Sequence, residues 1–258
     1  MSLLAINQLS IQFGGLKALE NINFHIEKGE VVSLIGPNGA GKTTFFNILT
    51  GLYHATHGEI LFQNQPLGRL SPHQITRRGI ARTFQNIRLF SKMTVLENVL
   101  VGMHTRINSN PLVQLFPTAA QGKKESDSRE KAMQLLASAG LDHLRHLQAR
   151  HLPYGQQRKL EIVRALAAEP ALLLLDEPSA GMNPQETDEL TAYIGQLQAA
   201  GQTVLLIEHD MKLVMNLSHR IVVLDHGRKI AEGKPEDVRN HPAVIEAYLG
   251  KGGAYAAH

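Results

Sequence analysis

Residues 31–52, VVSLIGPNGAGKTTFFNILTGL, leave the chain few ways to fold, because a buried strand, a glycine-rich turn and a helix start follow one another without a spacer. Val31 to Ile35 form an apolar run suited to a strand buried on both faces. Gly36, Pro37, Asn38, Gly39, Ala40, Gly41, Lys42 and Thr43 then match G-x-x-x-x-G-K-[ST], and Thr44 carries the chain into the helix. In that pattern glycines let backbone N–H groups turn inward and approach a polyphosphate closely. Lys42 supplies a point charge, Thr43 a hydroxyl for Mg²⁺, and the helix N-terminus aims unpaired N–H groups and a positive dipole end at the same anion. Phe45, Ile48, Leu49 and Leu52 recur at helical spacing, giving that helix an apolar face to lay on a sheet.

A second chemical element is ALLLLDEP, residues 171–178, where four leucines end abruptly in Asp176 and Glu177. In open α/β sheets ligands sit beyond the carboxyl ends of the strands. Asp176 is therefore placed to hold Mg²⁺ through water, and Glu177 to polarise a water aimed at the terminal phosphate. Taken alone, the two acids could instead begin a solvated turn before Pro178, the weaker of the two readings.

The rest of the chain reads as α/β. Residues 3–13, 22–26 and 58–62 are strand candidates around the cradle, and 172–175, 204–207 and 221–224 are apolar strands alternating with helical segments, as a parallel sheet requires. Residues 228–232 follow Asp225-His226-Gly227 as a hairpin partner. Helices are expected over 72–79, 95–101 and 129–139, the last closed by Gly140, and one or two short ones over 235–249. Residues 104–128 are polar, contain two prolines and predict a long loop with a short helix.

Composition sets limits. The 258 residues are 43% hydrophobic, enough for one large domain, and 26 Lys plus Arg against 23 Asp plus Glu give a formal charge of +3, too small to argue for nucleic acid. The absence of cysteine excludes disulfides and thiolate metal sites. Thirteen histidines are scattered without metal-ligand spacing. No signal-peptide pattern and no apolar run of about 18 residues is seen, so a membrane role needs a partner.

The third element is LPYGQQRKLEIVRAL, residues 152–166, and with it the chain resembles the ATP-binding-cassette (ABC) ATPases, whose signature loop reads Leu-Ser-Gly-Gly-Gln. Leu152, Gly155 and Gln156 match; Pro153 and Tyr154 replace the usual Ser and first Gly. Proline offers neither hydroxyl nor N–H, so the phosphate contact there is expected from Gly155 and the helix N-terminus alone. The resemblance implies further roles: Gln85 in TFQN as the Q-loop glutamine reaching Mg²⁺ and the attacking water, His209 as the switch histidine, and Phe13 stacking on adenine in place of a tyrosine. Ser179 to Asn183 resemble the D-loop, with Asn183 for the usual Asp; Asn183, Pro184 and Glu186 also read as a helix N-cap, N1 and capping box.

The implied fold is a P-loop NTPase of ABC type: a RecA-like α/β core with an antiparallel β subdomain (1–85 and 166–250) and an inserted α-helical subdomain (86–165), followed by a flexible tail over 251–258. Catalysis is expected from Glu177, His209, Gln85 and Lys42, with ATP on Phe13 and Gly36 to Thr44, and Mg²⁺ on Thr43, Gln85 and Asp176. Tyr154, Gly155 and Gln156 of one chain would close on the nucleotide of another in a head-to-tail dimer, with a copy or a paralogue. Pro-Tyr-Gly-Gln, Glu-Pro-Ser-Ala-Gly-Met-Asn-Pro, Glu208-His209-Asp210 and the near-terminal VIEAYLG are similar to the LivG type of ATP-binding subunit in bacterial branched-chain amino acid importers. That implies two membrane-spanning permease subunits, an indirect periplasmic or extracellular solute-binding protein, and a peripheral place on the cytoplasmic face of the inner membrane. Another small solute, or a non-transport ABC ATPase, is the alternative. A signalling GTPase would need Asn-Lys-x-Asp, which is missing. A scaffold that binds without hydrolysing would be expected to lack one of Lys42, Asp176, Glu177 or His209.

Overall fold

A computed structural model describes residues 2–103 and 119–249. Two sheets form. In the first, β1 (Ser2–Phe13) and β2 (Leu16–Glu27) pair antiparallel across Gly14-Gly15, and β4 (His57–Phe62) and β5 (Gln65–Pro66) extend it in the order β2-β1-β4-β5. In the second, the order is β10-β9-β3-β8-β7-β6, with β3 (Val31–Ile35), β6 (Ile80–Arg82), β7 (Leu172–Asp176), β8 (Thr203–Ile207) and β9 (Arg220–Asp225) parallel and β10 (Arg228–Gly233) antiparallel to β9. Parallel pairing brings the carboxyl ends of β3, β8, β7 and β6 to one edge. Those ends carry the cradle, His209, Glu177 and Gln85.

The apolar runs alternate faces as a doubly covered sheet requires. Val32, Leu34, Leu172, Leu174, Leu205 and Ile207 share a core with Leu4, Ile6 and Phe24 of the antiparallel sheet and with Phe45 and Phe46 of helix α1 (Lys42–Leu49). Val31, Leu173, Leu175, Val204 and Leu206 face the opposite way, into helices α3 (Val95–Met103), α4 (Ala119–Ser138), α5 (Tyr154–Leu166) and α6 (Pro184–Ala199). The remaining helices are α2 (Pro72–Arg78), α7 (Met211–Leu217), α8 (Pro235–Arg239) and α9 (Pro242–Leu249). None of the helices among the described residues is long and apolar enough to cross a membrane.

Two expected boundaries move. β2 begins at Leu16 instead of Ile22, because Phe13↔Leu16, Gln12↔Lys17 and Ile11↔Leu19 continue the ladder. Asn21, with a φ of 52°, and the shifts of register along this pair break the side-chain alternation without ending the pairing. α4 starts at Ala119, so the helix expected from 129 begins ten residues earlier and takes up the end of the expected loop with its short helix. The stretch QGKKESDSRE has no apolar stripe to betray it, but Gln, Lys, Glu and Arg are good helix formers; Ala132 and Leu136 further along are buried. Gly140 does close the helix: its φ is 70° and Leu141 N–H returns to Leu136 C=O. Residues 104–118 of the expected loop and the tail at 251–258 lie outside the described residues.

Candidate functional site

The cradle leaves β3 through Gly36, whose φ of 151° is closed to other residues and where an added Cβ would lie 2.1 Å from the Leu224 carbonyl oxygen. Helix α1 opens on Gly41, with no side chain capping it and no acid in its first turn. Its N–H groups are thus left for an anion. Lys42 folds back over the loop, donating to Gly36 O at 2.7 Å and Pro37 O at 2.9 Å. Burial pushes its ammonium below the usual lysine range, while the charges of Glu177 and Asp176 push it back up. A phosphate would supply that opposing charge at close range.

In front of the cradle lies a cleft of about 530 Å³, lined by Phe13, Asn38 to Thr44, Glu177 and His209, and also by Leu16, Lys17, Ala18, His226 and Gly227. Those last five were missed from sequence. They come from the β1–β2 hairpin and from the tight turn between β9 and β10, two places without a motif, and they adjoin the cradle only through tertiary packing: Gly227 N–H donates to Ala40 O, and Glu20 N–H to Gly227 O. Phe13 is half-exposed and meets Tyr53 edge to face, its centroid 5.1 Å away.

Glu177 stands at the end of β7 with a φ of 46°, which turns its side chain out of the strand line toward the cleft. One carboxylate oxygen accepts from Gln85 Nε2 at 2.7 Å and the other lies 3.1 Å from His209 Nε2. Gln85 and His209, from the ends of β6 and β8, therefore meet on one acid. Glu208, next to His209, is buried and accepts from Ser179 N–H and His209 N–H, both at 2.8 Å, pinning the end of β8 to the turn that follows β7. Asp176 sits behind Glu177 in a buried pair with Arg82, whose Nη2 donates at 2.7 Å. Arg82 also donates to Asn47 and Thr50 of the cradle helix segment. The arginine was missed from sequence, because its partner lies across the β6–β7 pairing. Thr43 hydroxyl, Asp176 carboxylate and Gln85 amide are hard oxygen donors, the type Mg²⁺ takes, and Arg82 engages only one of the two oxygens of Asp176.

Tyr154, Gly155 and Gln156 do not line this cleft. α5 begins at Tyr154 with Pro153 as its N-cap, and Gly155 N–H, expected to be free for a phosphate, donates to Glu186 of the same chain at 3.2 Å. The capping box at α6 forms as expected: Asn183 Oδ1 accepts from Glu186 N–H at 3.0 Å and Glu186 accepts from Asn183 N–H at 3.1 Å. Replacing Asn183 by Ala is expected to cost about 1 kcal/mol of stability, within about 0.5–2, readable by urea unfolding. A change much below that range would mean that the cap carries no weight here.

Comparison with known proteins agrees with this geometry. Residues 19–180 match the family model described as ABC transporter, and residues 228–254 that described as branched-chain amino acid ATP-binding cassette transporter. The chain is 48% identical to the high-affinity branched-chain amino acid transport ATP-binding proteins BraF of Pseudomonas aeruginosa and LivG of Escherichia coli, over 96% of this chain and 98% of each relative. Among solved structures, an ATP-binding cassette of an ABC transporter in its ADP conformation superposes with a TM-score of 0.84 at 35% identity, covering 97% of this chain and all of the other. A dimeric cassette in a post-hydrolysis state bound to ADP and phosphate superposes at 0.73 with 27% identity, covering 90% and 98%.

Proposed function

Since the chain belongs to the ABC transporter family and is one of its ATP-binding, ATP-hydrolysing subunits, we propose that it energises uptake of branched-chain amino acids through separate membrane subunits. The substrate reading rests on near-full-length similarity to BraF and LivG and on the match over residues 228–254. The catalytic reading rests on one observation: Glu177 faces the phosphate cradle held between Gln85 and His209.

The residues divide the work as follows. Backbone N–H groups from Gly36 to Thr44 and the α1 dipole bind the phosphates, Lys42 neutralises their charge, and Phe13 offers a ring face to adenine. Glu177 accepts the proton of the attacking water, and Gln85 and His209 fix where its two oxygens point. Mg²⁺, held by Thr43, Gln85 and, through water, Asp176, would neutralise charge on the phosphates. Arg82 holds Asp176 in place. Since Tyr154, Gly155 and Gln156 stand away from their own cradle, they serve the nucleotide of a second cassette, a copy or a paralogue, in a head-to-tail pair. We assign residues 1–85 and 166–250 to the nucleotide-binding core and 86–165 to the helical subdomain that meets two permease subunits on the cytoplasmic face of the inner membrane; a solute-binding protein acts through them.

Extraction of the tagged Glu177→Gln chain in mild detergent with ATP is expected to bring two membrane-spanning proteins and a second cassette with it, identified by mass spectrometry. Recovery with ribosomes or DNA and no membrane protein would overturn the transporter reading.

A further inference from the structure

The scheme above turns Tyr154 toward the nucleotide of a second cassette, yet within its own chain its side chain sits at a junction. Its hydroxyl donates to the Ala180 carbonyl of the D-loop at 3.0 Å and receives a hydrogen bond from Arg158 Nη2 at 3.3 Å. Arg158 is wholly buried, and the same guanidinium donates to Phe84 O and Gln85 O, each at 2.7 Å, while pairing with Glu161 at 3.0 Å. Glu161 in turn accepts from Arg88 N–H. The D-loop, the signature turn and the Q-loop are therefore joined through one phenol: Ala180 C=O, Tyr154 OH, Arg158, Gln85 C=O. A second strut runs parallel to it, because Glu186 holds both Gly155 N–H and Asn183 N–H. The ring itself packs close to Gly181, where an added Cβ would stand 3.6 Å from it. A glycine in place of Tyr154, the family's usual residue, could make none of these contacts.

We propose that Tyr154 is a positioning residue: its hydroxyl ties the signature turn to the D-loop and, through Arg158, to the Q-loop, so that the three shift as one body. The consequence for chemistry rests on Glu177 as the base, since Gln85 and the D-loop lie on either side of it in sequence and space. When the signature turn engages a nucleotide across the dimer, the linkage carries that event to Gln85 and hence to Glu177 of the same chain. What the loop loses with the missing serine hydroxyl it regains as an internal tether.

Tyr154→Phe removes only the hydroxyl and keeps the ring. In the assembled transporter, kcat is expected to fall about two- to tenfold, the worth of one hydrogen bond, with KM for ATP and the melting temperature little changed. In hydrogen exchange, the amides of 180–182 and of 85–88 are expected to exchange faster together in this variant, while β3 and β7 keep their protection. Acceleration in one segment alone, or in neither, overturns the linkage. Joint acceleration with unchanged kcat overturns its part in turnover, and a loss of melting temperature spread over all segments would reassign Tyr154 to packing. The exchange readout does not depend on Glu177, so failure of the general-base assignment is distinguishable from failure of the linkage.

Discussion

Glu177→Gln leaves ATP bound and lowers its turnover by about 10²–10⁴-fold, the usual worth of a positioned general base. The substitution is nearly isosteric, so the turn at the end of β7 and the contact with Ile207 O through the Glu177 N–H are retained. A side-chain amide also still has an oxygen to accept from Gln85 Nε2. It cannot take a proton from water. Binding and hydrolysis should therefore separate cleanly: affinity for ATP, followed by a fluorescent analogue, stays near that of the parent, while phosphate release nearly stops. Undiminished turnover in this variant would remove Glu177 from its role and leave the Gln85 and His209 contacts as ornament to a structural acid. The same variant should hold the two cassettes together, because a nucleotide that is bound and not hydrolysed keeps contributing to the interface.

Legibility in the sequence followed the physics of each element. The cradle and β7 were readable because their chemistry lies in consecutive residues: a strand buried on both faces, then glycines, or then two acids. The capping box at Asn183 and Glu186 was readable for the same reason, being a local exchange of hydrogen bonds over three residues. Gln85 and His209 could be placed only by resemblance, since a lone Gln or His at a strand end has no pattern of its own; their meeting on Glu177 needed β6, β7 and β8 to lie side by side. Arg82, Arg158 and Glu208 were invisible as site residues because the partners that tie them to the site, Asp176, Gln85 and Ser179, lie 94, 73 and 29 positions away in the chain. The helix expected from 129 begins ten residues earlier because that expectation relied on apolar period, and the sequence of 119–128 carries no apolar stripe.

Lys42→Ala should weaken ATP binding by about 10- to 100-fold, corresponding to the loss of about 1.5–3 kcal/mol of charged hydrogen bonding to phosphate. The stability of the chain should respond quite differently. Folding disfavours the buried ammonium, whose pKa lies below the usual lysine value, so around neutral pH its charge is a liability that the two loop carbonyls only partly offset. Removing it relieves that cost and leaves the Gly36 and Pro37 carbonyls to water entering the open cleft. A melting temperature close to the parent's is expected, together with the large loss of affinity. The sign of the pKa shift fixes the trend with pH: a lysine with a depressed folded pKa opposes folding more as pH falls through and below its unfolded value, so the parent gains relative to the alanine variant only at strongly alkaline pH. Calorimetric titration with ATP beside thermal melts of both chains measures the two effects at once. Unchanged affinity would contradict the cradle outright, whereas reduced affinity with a collapsed melting temperature would make Lys42 a structural tie of the loop, because a residue kept for its ligand should weaken the ligand's hold without weakening the fold.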